Sequence, residues 1–146
     1  MAASPALEAL YRRHLQHRPD ALAFIDGERE FSYAAFAQLC DDTAAWLAAQ
    51  GVGPGHKVAV WLVNRIEWLA LLFGVTRLGA TLVAVNTRYR SHEVQYILAR
   101  AEARLLVLQP DFGKLDFPAI LAGVAPDALP ALRQVAVVGA HGAPAG

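Results

Sequence analysis

Four short runs of apolar, largely β-branched residues, KVAVWL (57–62), TLVAV (81–85), RLLVL (104–108) and QVAVV (134–138), are separated by segments with helical periodicity. A run of this length, apolar throughout and bounded by turn signals, reads as a strand buried on both faces. Strands alternating with helices need crossover connections, which are right-handed and lay the strands parallel. The expected class is therefore α/β: a mainly parallel, twisted sheet with helices on both faces. Residues from Arg65 to Leu78 are apolar nearly all round, so they predict a buried helix. Ser91 is placed to cap a helix whose inner face is Val94, Ile97, Leu98 and Ala101. A weaker helical stretch covers Phe117 to Leu121.

Ahead of this alternation the pattern differs. Ser4 followed by Pro5 predicts a helix start. Leu7, Leu10, Tyr11 and Leu15 form its stripe, and Pro19 stops it. ALAFID and REFSY, split by Asp26-Gly27, predict a hairpin outside the main sheet. Ser32 caps a second helix, with Tyr33, Phe36, Leu39, Cys40, Trp46 and Leu47 on its apolar face and Asp41 and Asp42 on its solvated side. Gly51 ends that helix in the left-handed conformation, with Val52 folding back on Leu47. The tail GAHGAPAG (139–146) reads as flexible. Four helix-covered strands make half of a doubly wound domain, and a sheet edge left at the fourth is a hint of truncation.

Of the 146 residues 55% are hydrophobic and 18% charged, which excludes a disordered chain. Thirteen basic residues balance thirteen acidic ones, so charge gives no reason to expect nucleic acid or an anionic membrane as partner. A lone cysteine, Cys40, excludes an internal disulfide framework and fits a reducing compartment. The first residues do not read as a secretory signal. The apolar stretch from Trp68 to Val85 carries Arg77 at its middle, unlike a bilayer span. A cytoplasmic location is expected.

Several motifs fail on inspection. GVGPG (51–55) follows a helix and precedes a strand, the reverse of a dinucleotide loop, and Pro54 removes an amide. Gly74 and Gly79 have phosphate-loop spacing, but Ala80 and Thr81 stand where Lys and Ser/Thr are required. His14 and His17 share a helix face without a third ligand, so no metal site is expected and they read as solvated. Cys40 reads as a buried helix residue without an activating neighbour. The informative segment is NTRYRSHE (86–93). It follows a strand directly, where open parallel sheets bind ligands. Asn86, Thr87, Arg88, Tyr89 and Arg90 stand there beside a helix start, and two guanidiniums suit a phosphate or carboxylate. Asn64 and Arg65 end the preceding strand in a similar way. A solvated basic loop is the bland alternative.

ALAFIDGEREFSYAAFAQL, then LAAQGVGPGHKVAVWLVNRIEWLALLFGVTRLGATLVAVNTRYRSHEVQYIL, then RLLVL resemble the N-terminal part of adenylate-forming acid–CoA ligases, the AMP-binding acyl-CoA synthetase family. The resemblance runs from about Ala6 to Val138. One departure is His56, where the family typically has Asp in a turn. Peptide-synthetase adenylation domains are similar too, but usually carry Asp at the position of Asn86 and Pro at that of Arg90.

The resemblance implies an N-terminal portion of the AMP-binding domain over 1–138, as a partial subdomain with a helix and hairpin in front, and a tail over 139–146 at a point of truncation. It implies a ligase of fatty, aryl or related acids: a carboxylate is joined to AMP from ATP with magnesium, and the CoA thiol then takes the acyl group. It places Arg88, with Asn86, on the side where CoA approaches, and Arg88 on a CoA phosphate. The family's lysine-bearing glycine-rich loop, magnesium glutamate, ribose aspartate and C-terminal lysine have no counterpart in this sequence, so no catalytic residue and no tight binding of ATP, magnesium or CoA is expected of the chain alone. The expected partners are a small carboxylic acid, ATP and CoA. A free-standing, non-catalytic α/β binding module and a piece of a peptide synthetase are the alternatives.

Overall fold

A computed structural model describes residues 5–139. The chain forms two compact units: Met1–Gly55 with Arg65–Thr81, and His56–Asn64 with Leu82–Gly146.

The first unit holds α1 (Pro5–His17), the antiparallel hairpin β1 (Leu22–Asp26) and β2 (Arg29–Ser32), α2 (Tyr33–Ala49) and α3 (Ile66–Arg77). Gly27, at φ +63°, takes the first position of the two-residue hairpin loop, which glycine does without steric cost. Ser32 Oγ accepts from the Ala35 amide at 3.1 Å, capping α2 as expected. Ser4 lies outside the described residues. Helices α2 and α3 end alike. The Val52 amide donates to the Leu47 carbonyl and that of Ala80 to Val75, with Gly51 and Gly79 left-handed between. The aromatic cluster of Tyr11, Phe24, Phe36 and Phe73 fills the core, together with Cys40, Ile66 and Ala70.

Two expected core residues are not buried. Leu10 is 66% exposed and Trp46 38%. In α1 the buried face runs through Glu8 and Tyr11, because Glu8 is ion-paired, and Leu10 falls more than a quarter-turn away. In α2 the small residues Ala37 and Ala44 lie on the buried face instead of Trp46. They admit close approach of α3. A Cβ on Gly74 would stand 3.1 Å from Leu47 Cδ1 and 3.2 Å from the Ala44 amide nitrogen. Asp41 is not merely solvated; its carboxylate receives the Arg77 guanidinium at 2.6 Å.

The second unit carries β3 (Lys57–Trp61), β4 (Thr81–Ala84), α4 (Ser91–Ala101), β5 (Leu105–Leu108), a small hairpin of β6 (Asp111–Phe112) and β7 (Leu115–Asp116), α5 (Phe117–Ala122), a 3-10 turn (Pro126–Ala128) and β8 (Gln134–Val137). The sheet order is β4-β3-β5-β8. β3 pairs in parallel with β5, and β5 with β8, with Val58 opposite Leu105 and Leu105 opposite Gln134. The fold is thus α/β, with the four expected runs in one sheet and the first hairpin outside it. Ala59, Trp61, Leu106 and Leu108 share a core with Val94 and Leu98 of α4 and Phe117 of α5. The Trp61 and Phe117 rings lie 4.7 Å apart.

Ser91 does not cap α4. It is the first helical residue, and its hydroxyl donates to the Ile120 carbonyl at 2.6 Å. The helix start is served by Glu93, whose carboxylate accepts from the Arg90 amide at 2.9 Å. The α4 terminus turns through Glu102 at φ +54°, a left-handed residue without the freedom of glycine. The β6–β7 hairpin, which has no signal in the sequence pattern, turns through Gly113, and Asp116 caps α5 by accepting from the Ala119 amide. The expected tail lies outside the described residues beyond Gly139.

Candidate functional site

The loop after β4 is built by Asn86. Its side-chain oxygen accepts from the Arg88 amide at 2.9 Å, and its carbonyl accepts from the Tyr89 amide and from Trp61 Nε1. This side-chain turn fixes the loop to the core tryptophan. The two guanidiniums differ. Arg90 donates to the carbonyls of Arg88 and Tyr89, at 3.1 and 3.4 Å, so its charge is used to hold the loop. Arg88 is exposed, and among the described residues its side chain meets no partner. A groove of about 240 Å³ lies next to it in the chain, lined by Tyr89, His92, Glu93, Tyr96 and Ile97. The loop can offer one free cation beside an aromatic groove.

The loop leaves the edge strand of the sheet, not its centre. With order β4-β3-β5-β8 the connections reverse direction between β3 and β5, the place where open sheets usually bind ligands. Gln109, 1% exposed, closes that place. Its Oε1 accepts from the Val63 amide at 3.0 Å and its Nε2 donates to the Asp111 carbonyl at 2.7 Å. A single glutamine after a strand carries no sequence signal for this role.

Arg65 is not a free strand-end cation. It is 6% exposed, and its Nε donates to Glu67 at 2.8 Å. Arg29 donates to the same carboxylate at 2.8 Å and to Asp26 at 2.5 Å, while Asp26 accepts from the Ile66 amide at the start of α3. The positive end of α3 is thus occupied by the protein's own carboxylate. Burial opposes ionisation of Glu67, but the hydrogen bonds from Arg29 and Arg65 outweigh it and hold the carboxyl at about 2. A depressed carboxyl stabilises the fold above its ordinary value of 4.5, and that contribution is lost as the pH falls toward 2. Urea midpoints measured between pH 5 and pH 2 should fall for the parent chain. Glu67→Gln should be less stable at pH 5 and show a shallower fall.

Among the described residues no group of three His, Cys, Asp or Glu is placed to hold a metal. His14 is not simply solvated: its ring stacks on Tyr33 at a centroid distance of 5.0 Å and hydrogen-bonds to Arg18. Cys40 is fully buried, and burial pushes its thiol up to about 12, which leaves it unreactive. Gly51 and Gly55 serve a helix end and a turn, and Gly79 a helix end. No helix among the described residues is long and apolar enough to cross a membrane.

The described residues define an α/β fold with a four-stranded sheet and an exposed arginine on the loop after one of its outer strands. The chain belongs to the AMP-binding enzyme family, whose model matches residues 11–143. It is 37% identical over 108 residues to YngI of Bacillus subtilis (strain 168), which carries the name of an acyl-CoA synthetase; the match takes in 74% of this chain and 20% of that protein. A Mycobacterium tuberculosis ligase that joins a methyl-dioxo-octahydroindenyl propanoyl group to CoA is 36% identical over 123 residues, 84% of this chain and 24% of that one. Peptide synthetases are similar at 30% and 33% identity. The solved structure of the anthranilate CoA ligase AuaEII with anthranoyl-AMP matches at a TM-score of 0.79 and 27% identity, over 89% of this chain and 24% of that chain. The chain thus spans about a fifth to a quarter of the length of these acyl-CoA ligase relatives and 1% of the peptide synthetases. It corresponds to an N-terminal part of the acid–CoA ligase fold.

Proposed function

We propose that residues 1–138 are the N-terminal portion of the AMP-binding domain of an ATP-dependent carboxylic acid–CoA ligase, and that their contribution to the chemistry is on the CoA side. The observation that carries this is Arg88, an exposed guanidinium without a partner among the described residues, on a loop that Asn86 and Trp61 fix in place. In the overall reaction the acid carboxylate displaces pyrophosphate from ATP to give an acyl-adenylate. The CoA sulfur then takes the acyl carbon and AMP leaves. Arg88 pairs with a CoA phosphate, and the Tyr89–Tyr96 groove offers apolar surface beside it. Asn86 acts by shaping the turn that presents Arg88.

Among the described residues no glycine-rich loop carries a lysine for ATP phosphates, and no group of three carboxylate or imidazole ligands is placed for magnesium. Lys57 sits within β3 and Lys114 in the β6–β7 turn, neither in a glycine-rich loop. The start of α3 is filled by Asp26. In this reading adenylation is carried by groups other than those of residues 1–146, and the chain alone is inactive. Peptide-synthetase relatives support a second reading, in which the segment is a piece of a peptide-synthetase adenylation domain. Arg90 and Asn86, where those domains usually have Pro and Asp, favour free CoA.

In a full-length ligase carrying this segment, Arg88→Ala should raise the KM for CoA and leave acid-dependent ATP–pyrophosphate exchange nearly intact. A charge-assisted contact is worth about 1.5–3 kcal/mol, or roughly ten- to hundredfold. A fall in exchange with an unchanged KM for CoA would contradict the assignment.

A further inference from the structure

We infer that Ser91 is a positioning residue for the Arg88 loop, and that Gly123 leaves the space in which it acts. The inference rests on the reading of Arg88 as the partner of a CoA phosphate. The loop between β4 and α4 is held at its start by Trp61, whose Nε1 donates to the Asn86 carbonyl at 3.2 Å. At its end the Ser91 hydroxyl donates to the Ile120 carbonyl of α5 at 2.6 Å. Only residues 87–90 lie between the two ties. Both ties reach one body: Trp61 and Phe117 of α5 share a core, with rings 4.7 Å apart, and Tyr89 and Ile120 pack against it. A bond at each end of so short a stretch fixes the backbone that carries the Arg88 guanidinium. Ordering that backbone before a ligand arrives lowers the cost of binding.

Helix α4 does not depend on this hydroxyl. Ser91 is its first residue, the Arg90 amide is already satisfied by Glu93, and Val94 and Leu98 are buried in the core. Gly123 supplies the second observation. Its backbone lies at φ −76° and ψ −3°, values that other residues adopt readily, so conformation does not call for glycine. Space does. A Cβ there would overlap Ser91 Oγ and stand 3.1 Å from Ser91 Cβ and 3.3 Å from the Ile120 carbonyl oxygen. The missing side chain at 123 keeps clear the spot that the Ser91 hydroxyl fills. All of these groups belong to the second unit.

Amide hydrogen exchange of the 146-residue chain, resolved by residue, tests the tie. S91A should speed amide exchange at Arg88 and Tyr89, which donate to Asn86, by roughly two- to tenfold, as for the loss of one hydrogen bond. The amide of Leu98, inside α4, should change by less. G123A should match S91A, because the added methyl takes the place of the hydroxyl. S91A/G123A should be no worse than either single variant. In a full-length ligase carrying this segment, S91A should raise the KM for CoA by a similar factor and leave acid-dependent ATP–pyrophosphate exchange unchanged. R88A should raise that KM further. Unchanged amide exchange at Arg88 and Tyr89, or equal acceleration throughout α4, overturns the inference, as does additivity of S91A and G123A. An unchanged KM for CoA in S91A, where R88A raises it, also overturns it. If R88A too leaves that KM unchanged while the amides respond, the CoA-side reading fails, and the positioning role falls with it although the tie stands.

Discussion

Phe36→Ala is expected to cost the fold about 3–5 kcal/mol, the range for truncating a buried aromatic ring. The side chain is fully buried in α2. Its ring meets Tyr11 of α1 at 5.7 Å, Phe24 of β1 at 4.5 Å and Phe73 of α3 at 5.6 Å. One truncation therefore removes contacts from all the helices of the first unit and from the hairpin. Tyr11 and Phe73 also pack edge to face, at 5.1 Å, so the cluster cannot close over the gap without breaking that geometry. Leu10→Ala is the matched control. Leu10 belongs to the same apolar composition, but at 66% exposure its truncation should change stability by no more than about 0.5 kcal/mol. Urea unfolding followed by far-UV circular dichroism reads both. Equal costs for the two would mean that α1 packs through another face.

Arg77→Ala should cost roughly 2–3 kcal/mol, somewhat less than breaking a fully buried pair. Arg77 joins three elements: its guanidinium donates to Glu8 of α1, to Asp41 of α2 at 2.6 Å and to Tyr11 at 3.1 Å. Glu8 is 7% exposed, so removing its cation leaves a buried carboxylate. Arg12, at 2.5 Å, keeps part of the compensation, and Arg77 itself is 21% exposed, which lowers the expected cost. Burial opposes the charge on Glu8, but Arg12 and Arg77 outweigh it and hold the carboxyl below its ordinary value. Combining Arg77→Met with Glu8→Gln should recover much of the loss, because no unpaired charge then remains buried. A double variant as unstable as the sum of the single ones would show that the ions are not coupled.

The sheet was legible because its strands are apolar throughout: only a strand covered on both faces can be written KVAVWL or RLLVL. The helix end at Gly51 was legible because a left-handed residue is needed there. Leu10 and Trp46 misled because they are apolar and at helical spacing. What turned the buried faces away from them was an ion pair reaching from Glu8 to a helix far along the chain, and the alanines that let α2 approach Gly74. Neither is visible in a local pattern. Ser91 offers a hydroxyl where a cap is expected, but Glu93 serves the helix start and the hydroxyl reaches α5.

For the candidate site, spacing located the loop but could not rank its cations. Arg88 and Arg90 are equivalent in sequence. The fold ties Arg90 to backbone carbonyls and leaves Arg88 without a partner among the described residues. Arg65 ends a strand as invitingly as Arg88 follows one, yet it is buried against Glu67. Gln109 gave no signal at all, since its role depends on the β3–β5 adjacency.

The central claim, that this chain is a CoA-side segment of an acid–CoA ligase and not an adenylating enzyme by itself, is tested most directly by pyrophosphate exchange. Adenylation needs positioned phosphate donors and a metal ligand at the transferring group. The purified 146-residue chain, incubated with ATP, magnesium, labelled pyrophosphate and a panel of aliphatic and aryl carboxylic acids, should form no labelled ATP above a protein-free control. Acid-dependent exchange above that control would contradict the claim.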